Sequence, residues 1–151
     1  MEKLQFVVDI AAPVHTVWST MLDLETYEIW TGTFHEGSTY RGGWAQGAEI
    51  SFIGPNDDGT EGGMFGTISA SRPDEFVEIE YSGEIVRGEV VTTSEFAKQI
   101  AGLHEAYTFT PTETGTRLTV DVESVDEFAD MFAAQWPRSL DILQQLAEER
   151  A

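Results

Sequence analysis

The stretch Phe6-Val-Val-Asp-Ile10, followed by Ala12-Pro-Val-His-Thr-Val-Trp-Ser-Thr-Met-Leu22, decides the expected fold because it sets a strand directly before a short helix. Apolar and polar residues alternate through the first part, which is the pattern of a strand with one buried face. Pro13 suits the first turn of a helix, since its missing N–H would have no partner there. Apolar side chains then recur at helical spacing up to Leu22.

The rest of the chain predicts several strands and one long closing helix. Residues 24–30 predict a second short helix. Strands are predicted over residues 38–41, 48–53, 64–71, 76–81, 83–93, 104–110 and 116–122, with the poorest pattern in 83–93. Residues 125–149 predict an amphipathic helix that Pro137 should kink or restart, because proline removes a backbone donor. This order predicts an α+β fold with helices on one side of an antiparallel sheet.

Composition limits the class of protein. The length of 151 residues suits one domain over residues 1–151. There is no cysteine, which excludes disulfides and thiolate catalysis and agrees with a reducing compartment. We see no signal sequence and no apolar run near the roughly 20 residues of a membrane helix. We therefore expect a cytoplasmic protein that does not insert into membranes.

The charge is strongly negative. Twenty-seven acidic residues oppose eight basic ones, which gives a formal net charge of −19. Such a surface repels phosphate backbones and anionic lipids, so we expect neither a nucleic acid nor a membrane as partner. The acidity fits an ordinary acidic protein, and it also fits adaptation to a salty cytosol in which ions screen the self-repulsion. The sequence leaves both interpretations open.

A family resemblance runs through nearly the whole chain. Its motifs are Ile10-Ala-Ala-Pro-Val-His-Thr-Val-Trp18, Tyr40-Arg-Gly-Gly-Trp-Ala-Gln-Gly47, Gly62-Gly-Met64, Gly83-Glu-Ile85, Thr92-Thr-Ser-Glu95, Glu105-Ala-Tyr-Thr-Phe109, Gly115-Thr-Arg-Leu-Thr-Val120 and Trp136-Pro-Arg-Ser-Leu140. With them the chain resembles the START-like (SRPBCC, helix-grip) superfamily, and more closely the branch similar to the C-terminal domain of the activator of Hsp90 ATPase. The resemblance implies a curved antiparallel sheet wrapped around a long C-terminal helix, with two short helices after the first strand. Because the superfamily contains lipid carriers, polyketide cyclases, hormone receptors and chaperone regulators, it does not fix the function.

The resemblance also implies a cavity between the sheet and the C-terminal helix. Most of the many aromatic side chains are expected to fill the core, but some fall on elements that usually border that cavity. These are Trp30, Trp44, Phe128, Phe132 and Trp136. Ligand pockets are mostly hydrophobic with a few polar groups that fix orientation. We therefore expect these residues to bind an apolar part of a ligand.

Glu105 is the polar residue of most interest. In a strand it shares a face with Tyr107 and Phe109, so an inward face would surround a carboxylate with aromatic rings. The carboxylate would then tend to hold a proton and contact a ligand. An ion pair with Arg41 or Arg87 and an exposed position are the two alternatives. Arg41 itself is a candidate for binding a ligand anion or, alternatively, for a surface salt bridge.

Other motifs predict no chemistry. The histidines lack metal-ligand spacing, and residues 59–66 lack the Lys-Ser or Lys-Thr of a phosphate loop. The glutamates Glu78, Glu80, Glu84 and Glu89 are interpreted as a solvated strand face. We expect no metal and no cofactor.

The function we predict is binding of a small apolar or amphipathic molecule between the sheet and the C-terminal helix, rather than catalysis. One alternative is a protein-interaction or stress- and chaperone-linked regulator of the Hsp90-activator type, with a protein partner. A second alternative is a cyclase- or hydrolase-like enzyme that uses Glu105 and Tyr107 for acid–base chemistry. A homodimer is compatible with the sequence.

Overall fold

The computed structural model describes residues 1–151 and has the predicted α+β architecture. Its helices are α1 Val14–Leu22, α2 Leu24–Trp30, α3 Glu95–Ile100 and α4 Ala129–Arg150, with single 3-10 turns at Thr31–Thr33 and Asp126–Phe128. Its strands are β1 Glu2–Ile10, β2 Thr39–Gly42, β3 Glu49–Pro55, β4 Glu61–Arg72, β5 Phe76–Val86, β6 Glu89–Val91, β7 His104–Pro111 and β8 Thr116–Ser124. None of the helices combines the length and hydropathy that a membrane crossing requires.

All eight strands form one antiparallel sheet in the order β1-β8-β7-β5-β4-β3-β2, with β6 paired to the far end of β5. The register of β4 on β5 shifts at Phe65/Gly66 and again at Ile68/Ala70. Such bulges bend and twist a sheet. Gly63 permits a further close approach, because its φ is 152° and a Cβ there would lie 1.8 Å from the Phe52 carbonyl oxygen. These features curve the sheet toward the helices.

Helix α4 runs without interruption through Pro137, so the predicted restart does not occur. Its C-terminal half buries Leu140, Leu143 and Ala147, which belong to the main hydrophobic core. Its N-terminal half carries Phe132 and Trp136. The helix thus closes the core with one half and leaves the other half for the site described below.

Residues 83–101 differ most from the prediction. The chain continues β5 to Val86, turns at Arg87-Gly88 into the short β6, and then forms α3. Helix α3 was missed, although Ser94 marks its start by accepting a hydrogen bond from the backbone N of Ala97 at 3.1 Å. Six residues are too few for a helical period to stand out. The pattern of residues 83–93 was poor for a different reason, since the turn at Arg87-Gly88 divides that range between two strands.

Candidate functional site

A cavity of about 640 Å³ lies between the curved sheet and the N-terminal half of α4. Its wall is mainly aromatic and aliphatic, and includes Tyr27, Trp30, Phe34, Phe52, Ile53, Met64, Tyr81, Ile85, Phe96, Tyr107, Phe128, Phe132 and Trp136. Its mouth, meaning the exposed residues of the wall, consists of His35, Asn56, Asp58, Val86, Arg87 and Met131. A volume of several hundred Å³ is typical of small-molecule sites.

Four of the five aromatic residues assigned to the cavity by resemblance lie on its wall: Trp30, Phe128, Phe132 and Trp136. Trp136 is at the centre of this group, since its ring lies 5.8 Å from that of Trp30 and 6.0 Å from that of Tyr107. Trp30 is fixed by its indole N–H, which donates to the Met21 carbonyl at 3.0 Å. The Trp30 hydrogen bond and these ring contacts hold the aromatic wall of the cavity in place.

Glu105 brings a carboxylate to the same wall. It lies on β7 between Ile79 of β5 and Val122 of β8, and only 8% of the residue is exposed. The Tyr107 hydroxyl donates a hydrogen bond to Glu105 Oε2. No basic side chain pairs with it, so the carboxylate is neither exposed nor part of an ion pair.

Burial dominates the electrostatics of this group. Desolvation raises the pKa of Glu105 from 4.5 to about 7, although the Tyr107 and Tyr81 hydroxyls partly oppose the shift. Burial also raises the pKa of both tyrosines well above 10, and the nearby carboxylate adds to the effect. Near neutral pH the site therefore contains a carboxyl group close to half-protonated and two neutral phenols. Such a group can give or accept a proton, or hydrogen-bond a polar atom of a ligand.

Three of the predicted site residues are not on the cavity wall. Arg41 forms an ion pair with Glu61 on the exposed edge of the sheet. Phe109 shares a strand with Glu105 but lies further along it, where it packs on Trp18 of α1 with ring centroids 5.2 Å apart. Trp44 packs behind the wall residues Phe52 and Tyr107, with its ring centroid 5.8 Å and 6.4 Å from theirs.

The wall also contains residues that were not predicted as site residues. Tyr81 follows Val77 and Ile79 at a spacing of two, so its inward face was readable from the sequence. Glu84 was interpreted as solvated, but it lies on the wall and accepts a hydrogen bond from Ser94 Oγ at 2.7 Å. Phe34 follows a 3-10 turn and Arg87 lies in a hairpin turn, and no periodic pattern predicts where a side chain points in either place. No three His, Asp or Glu side chains come together in a way that would hold a metal ion.

Comparisons with known proteins agree with this architecture. The sequence matches, over residues 1–148, the family described as polyketide cyclase / dehydrase and lipid transport. No curated protein matches the sequence.

Among solved structures, a protein from Mesorhizobium loti is similar with a TM-score of 0.74 and 16% identity, covering 99% of each chain. A protein from Nitrosomonas europaea has a TM-score of 0.73 and 15% identity over 98% of this chain and 95% of that chain. An AHSA1-like protein from Aeromonas hydrophila has a TM-score of 0.73 and 14% identity over 99% and 94%. At these identities the likeness concerns the fold alone.

Proposed function

We propose a function from the premise that this chain belongs to the polyketide cyclase / dehydrase and lipid transport family of the START-like superfamily. The proposed function is binding of one small amphipathic molecule in the cavity under α4. In this proposal residues 1–151 act as a single domain. The apolar part of the ligand contacts Trp30, Phe132 and Trp136, and a polar atom of the ligand meets Glu105 and Tyr107.

The observation that carries this proposal is the pairing of a large apolar cavity with a single buried carboxyl group on its wall. Burying apolar ligand surface contributes roughly 25 cal/mol per Å². A ligand that buries about 300 Å² would thus gain several kcal/mol before the costs of association. Glu105 orients such a ligand, because a buried carboxyl group without a partner on the ligand side would be costly.

The test is a titration with N-phenyl-1-naphthylamine, an uncharged apolar dye that becomes fluorescent in dry cavities. We expect saturable binding with one dye per chain. Phe132→Asp should weaken it at least about tenfold, because a charge on the wall opposes an apolar ligand. Phe76→Asp is the matched control, since Phe76 is also half-buried but lies outside the cavity beside Arg72.

Circular dichroism checks that both variants are folded, and native mass spectrometry of the unsubstituted protein gives the stoichiometry independently. Equal losses in both variants, or no saturable binding by the unsubstituted protein in either experiment, would contradict the proposal.

A second candidate function, acid–base catalysis in the same cavity, is favoured by one observation. Glu105 has a pKa of about 7 and is hydrogen-bonded to Tyr107, which is the pairing that proton transfer to and from carbon needs. The test follows α-proton exchange of 2-tetralone in D₂O by NMR. Acceleration over buffer that disappears in Glu105→Gln would support catalysis. No acceleration would leave binding as the function.

A further inference from the structure

We propose that Arg87 at the cavity mouth binds an anionic group, so that the ligand is an amphipathic acid with its apolar body under α4 and its carboxylate, sulfonate or phosphate at the β5–β6 turn. This inference rests on the proposed function, since it names the ligand class for the same cavity. It also moves the anion-binding role that the sequence suggested for Arg41 to a different arginine.

The first observation concerns the charged groups of the cavity wall, which are Asp58, Glu84, Arg87 and Glu105. The three acids are each hydrogen-bonded within the chain. Asp58 accepts from Thr60 Oγ1 at 2.6 Å, Glu84 accepts from Ser94 Oγ at 2.7 Å, and Glu105 accepts from the Tyr107 hydroxyl.

Arg87 differs from these acids. Its guanidinium forms no ion pair and no side-chain hydrogen bond, in a protein with 27 acidic residues. Arg41, by contrast, is already paired with Glu61. The five donors of the Arg87 guanidinium are therefore free to meet a planar anion in two parallel hydrogen bonds.

The second observation is the backbone of the turn. Arg87 has φ 51° and Gly88 has φ 81°, and positive φ at both central residues is the mark of a two-residue hairpin that favours Asn-Gly. Arginine in this conformation is disfavoured relative to glycine, because its Cβ approaches the following carbonyl oxygen. The turn is also fixed, because the Gly88 N–H donates to the Glu61 carbonyl at 3.1 Å. A costly residue type is thus held in a defined place at the mouth, and turn geometry gives no reason for it.

The third observation is the surface next to Arg87. Val86 and Met131 lie on the mouth, and 38% and 41% of these residues are exposed. An alkyl or aryl group that passes from the mouth to the wall would cover them. The arrangement of a cation beside exposed apolar side chains and a mainly apolar cavity matches an acid with an apolar tail.

The net charge of −19 opposes an anion, but only at long range. At physiological ionic strength, charges more than about 8 Å apart are largely screened. A direct contact with a guanidinium lies well inside that distance. The local pairing therefore outweighs the overall repulsion.

The test compares two dyes of nearly the same shape, the anionic 1-anilinonaphthalene-8-sulfonate and the uncharged N-phenyl-1-naphthylamine. Arg87→Gln should weaken binding of the sulfonate about tenfold, which is about 1.4 kcal/mol and of the order of one charged hydrogen bond. Binding of the uncharged dye should stay within about twofold. Arg138→Gln is the matched control, because Arg138 is an exposed arginine of α4 without an ion pair and off the cavity wall.

Arg87→Asn provides a second, independent readout. Asparagine tolerates positive φ, so this variant should raise the melting temperature while it loses sulfonate affinity. A purely structural Arg87 would instead lose stability on substitution.

The outcomes separate the two proposals. If the unsubstituted protein binds the uncharged dye and Arg87→Gln leaves sulfonate binding unchanged, or if Arg138→Gln causes an equal loss, the inference about Arg87 is overturned and the cavity proposal stands. If neither dye binds to the unsubstituted protein, both proposals fail.

Discussion

At the scale of single residues, Glu105 decides how the site behaves with pH. Burial among Tyr81, Tyr107 and the strands around them raises the pKa of its carboxyl group to about 7. The unfolded chain has the ordinary value of 4.5 and gives up this proton first as the pH rises. Between these two values the native state holds more protons than the unfolded state, so stability falls as the pH rises through this window.

Glu105→Gln should remove this dependence. One pKa unit corresponds to 1.36 kcal/mol, so the variant should be more stable than the unsubstituted protein by about 3 kcal/mol at about pH 8 and by little at about pH 5. Glutamine still accepts the hydrogen bond from Tyr107. The measurement is urea unfolding across this pH range.

Glu113→Gln, in the exposed turn between β7 and β8, is the control for this experiment. His104 titrates in part of the same window. Burial lowers its pKa, but hydrogen bonds with Glu123 and Glu80 outweigh that effect and raise it. The stabilisation from His104 is also lost as the pH rises. Both the unsubstituted protein and Glu105→Gln contain His104, so its contribution cancels when their stabilities are subtracted. A stability difference that does not change with pH would show that Glu105 is not buried in this way.

The sequence placed Glu105 and Tyr107 on one face of a strand but left open whether that face is buried, and it did not identify their neighbours on the cavity wall. A spacing of two on one strand places side chains on one face, and in the structure Glu105 and Tyr107 share the face that borders the cavity. The same rule included Phe109, but it cannot tell which helix covers which end of a strand, and α1 covers that end. Arg41 and Arg87 could not be ranked, because their roles depend on which acid reaches each of them in space.

At the scale of elements, α4 has two functions separated near Pro137. The C-terminal half packs against β1 and α1 as core, while the N-terminal half closes the cavity with Phe132 and Trp136. The sequence predicted the helix and its buried face, because its apolar period is long and regular. The division between a filled and an unfilled part of that face depends on the curvature of β3 and β4, which the sequence pattern does not encode.

Leu143→Ala tests this division. Leu143 is fully buried, so the substitution should cost about 3 kcal/mol of unfolding free energy and leave the affinity for N-phenyl-1-naphthylamine unchanged. Trp136→Ala should lower the stability and also weaken binding of the dye, because the Trp136 ring contacts both the core and the cavity. Urea unfolding and dye titration of both variants provide the comparison. An equal loss of dye affinity in both variants would show that α4 is not divided into a core half and a cavity half.

At the scale of the whole molecule, the fold was predictable and the ligand was not. The superfamily resemblance and the α+β fold class are confirmed by the family match and by the sheet, although α3 was not predicted. The fold is predictable because strand alternation and helical spacing of apolar residues recur along the whole chain. The ligand class depends instead on a few side chains that distant elements bring together, and a homodimer or a protein partner stays a prediction.

The acidic surface makes a prediction at this scale. Only eight Lys and Arg side chains are present for 27 acids, so most carboxylates have no basic partner. Raising KCl from about 0.1 M to about 1 M shortens the screening length from roughly 10 Å to 3 Å and weakens their repulsion. We expect the melting temperature to rise by about 2–4 °C for each kcal/mol of repulsion removed. Sucrose at equal osmolality is the control, and a flat response to KCl would exclude adaptation to a salty cytosol.

The central claim is that a ligand enters between the sheet and α4, and amide and indole NMR during a titration with N-phenyl-1-naphthylamine tests it most directly. The account predicts saturable shifts at Met64, Tyr81, Tyr107 and the Trp136 indole, and none at Val7 on the outer face of β1. Shifts confined to the outer face of the sheet, or no saturable shifts at the cavity wall, would contradict it.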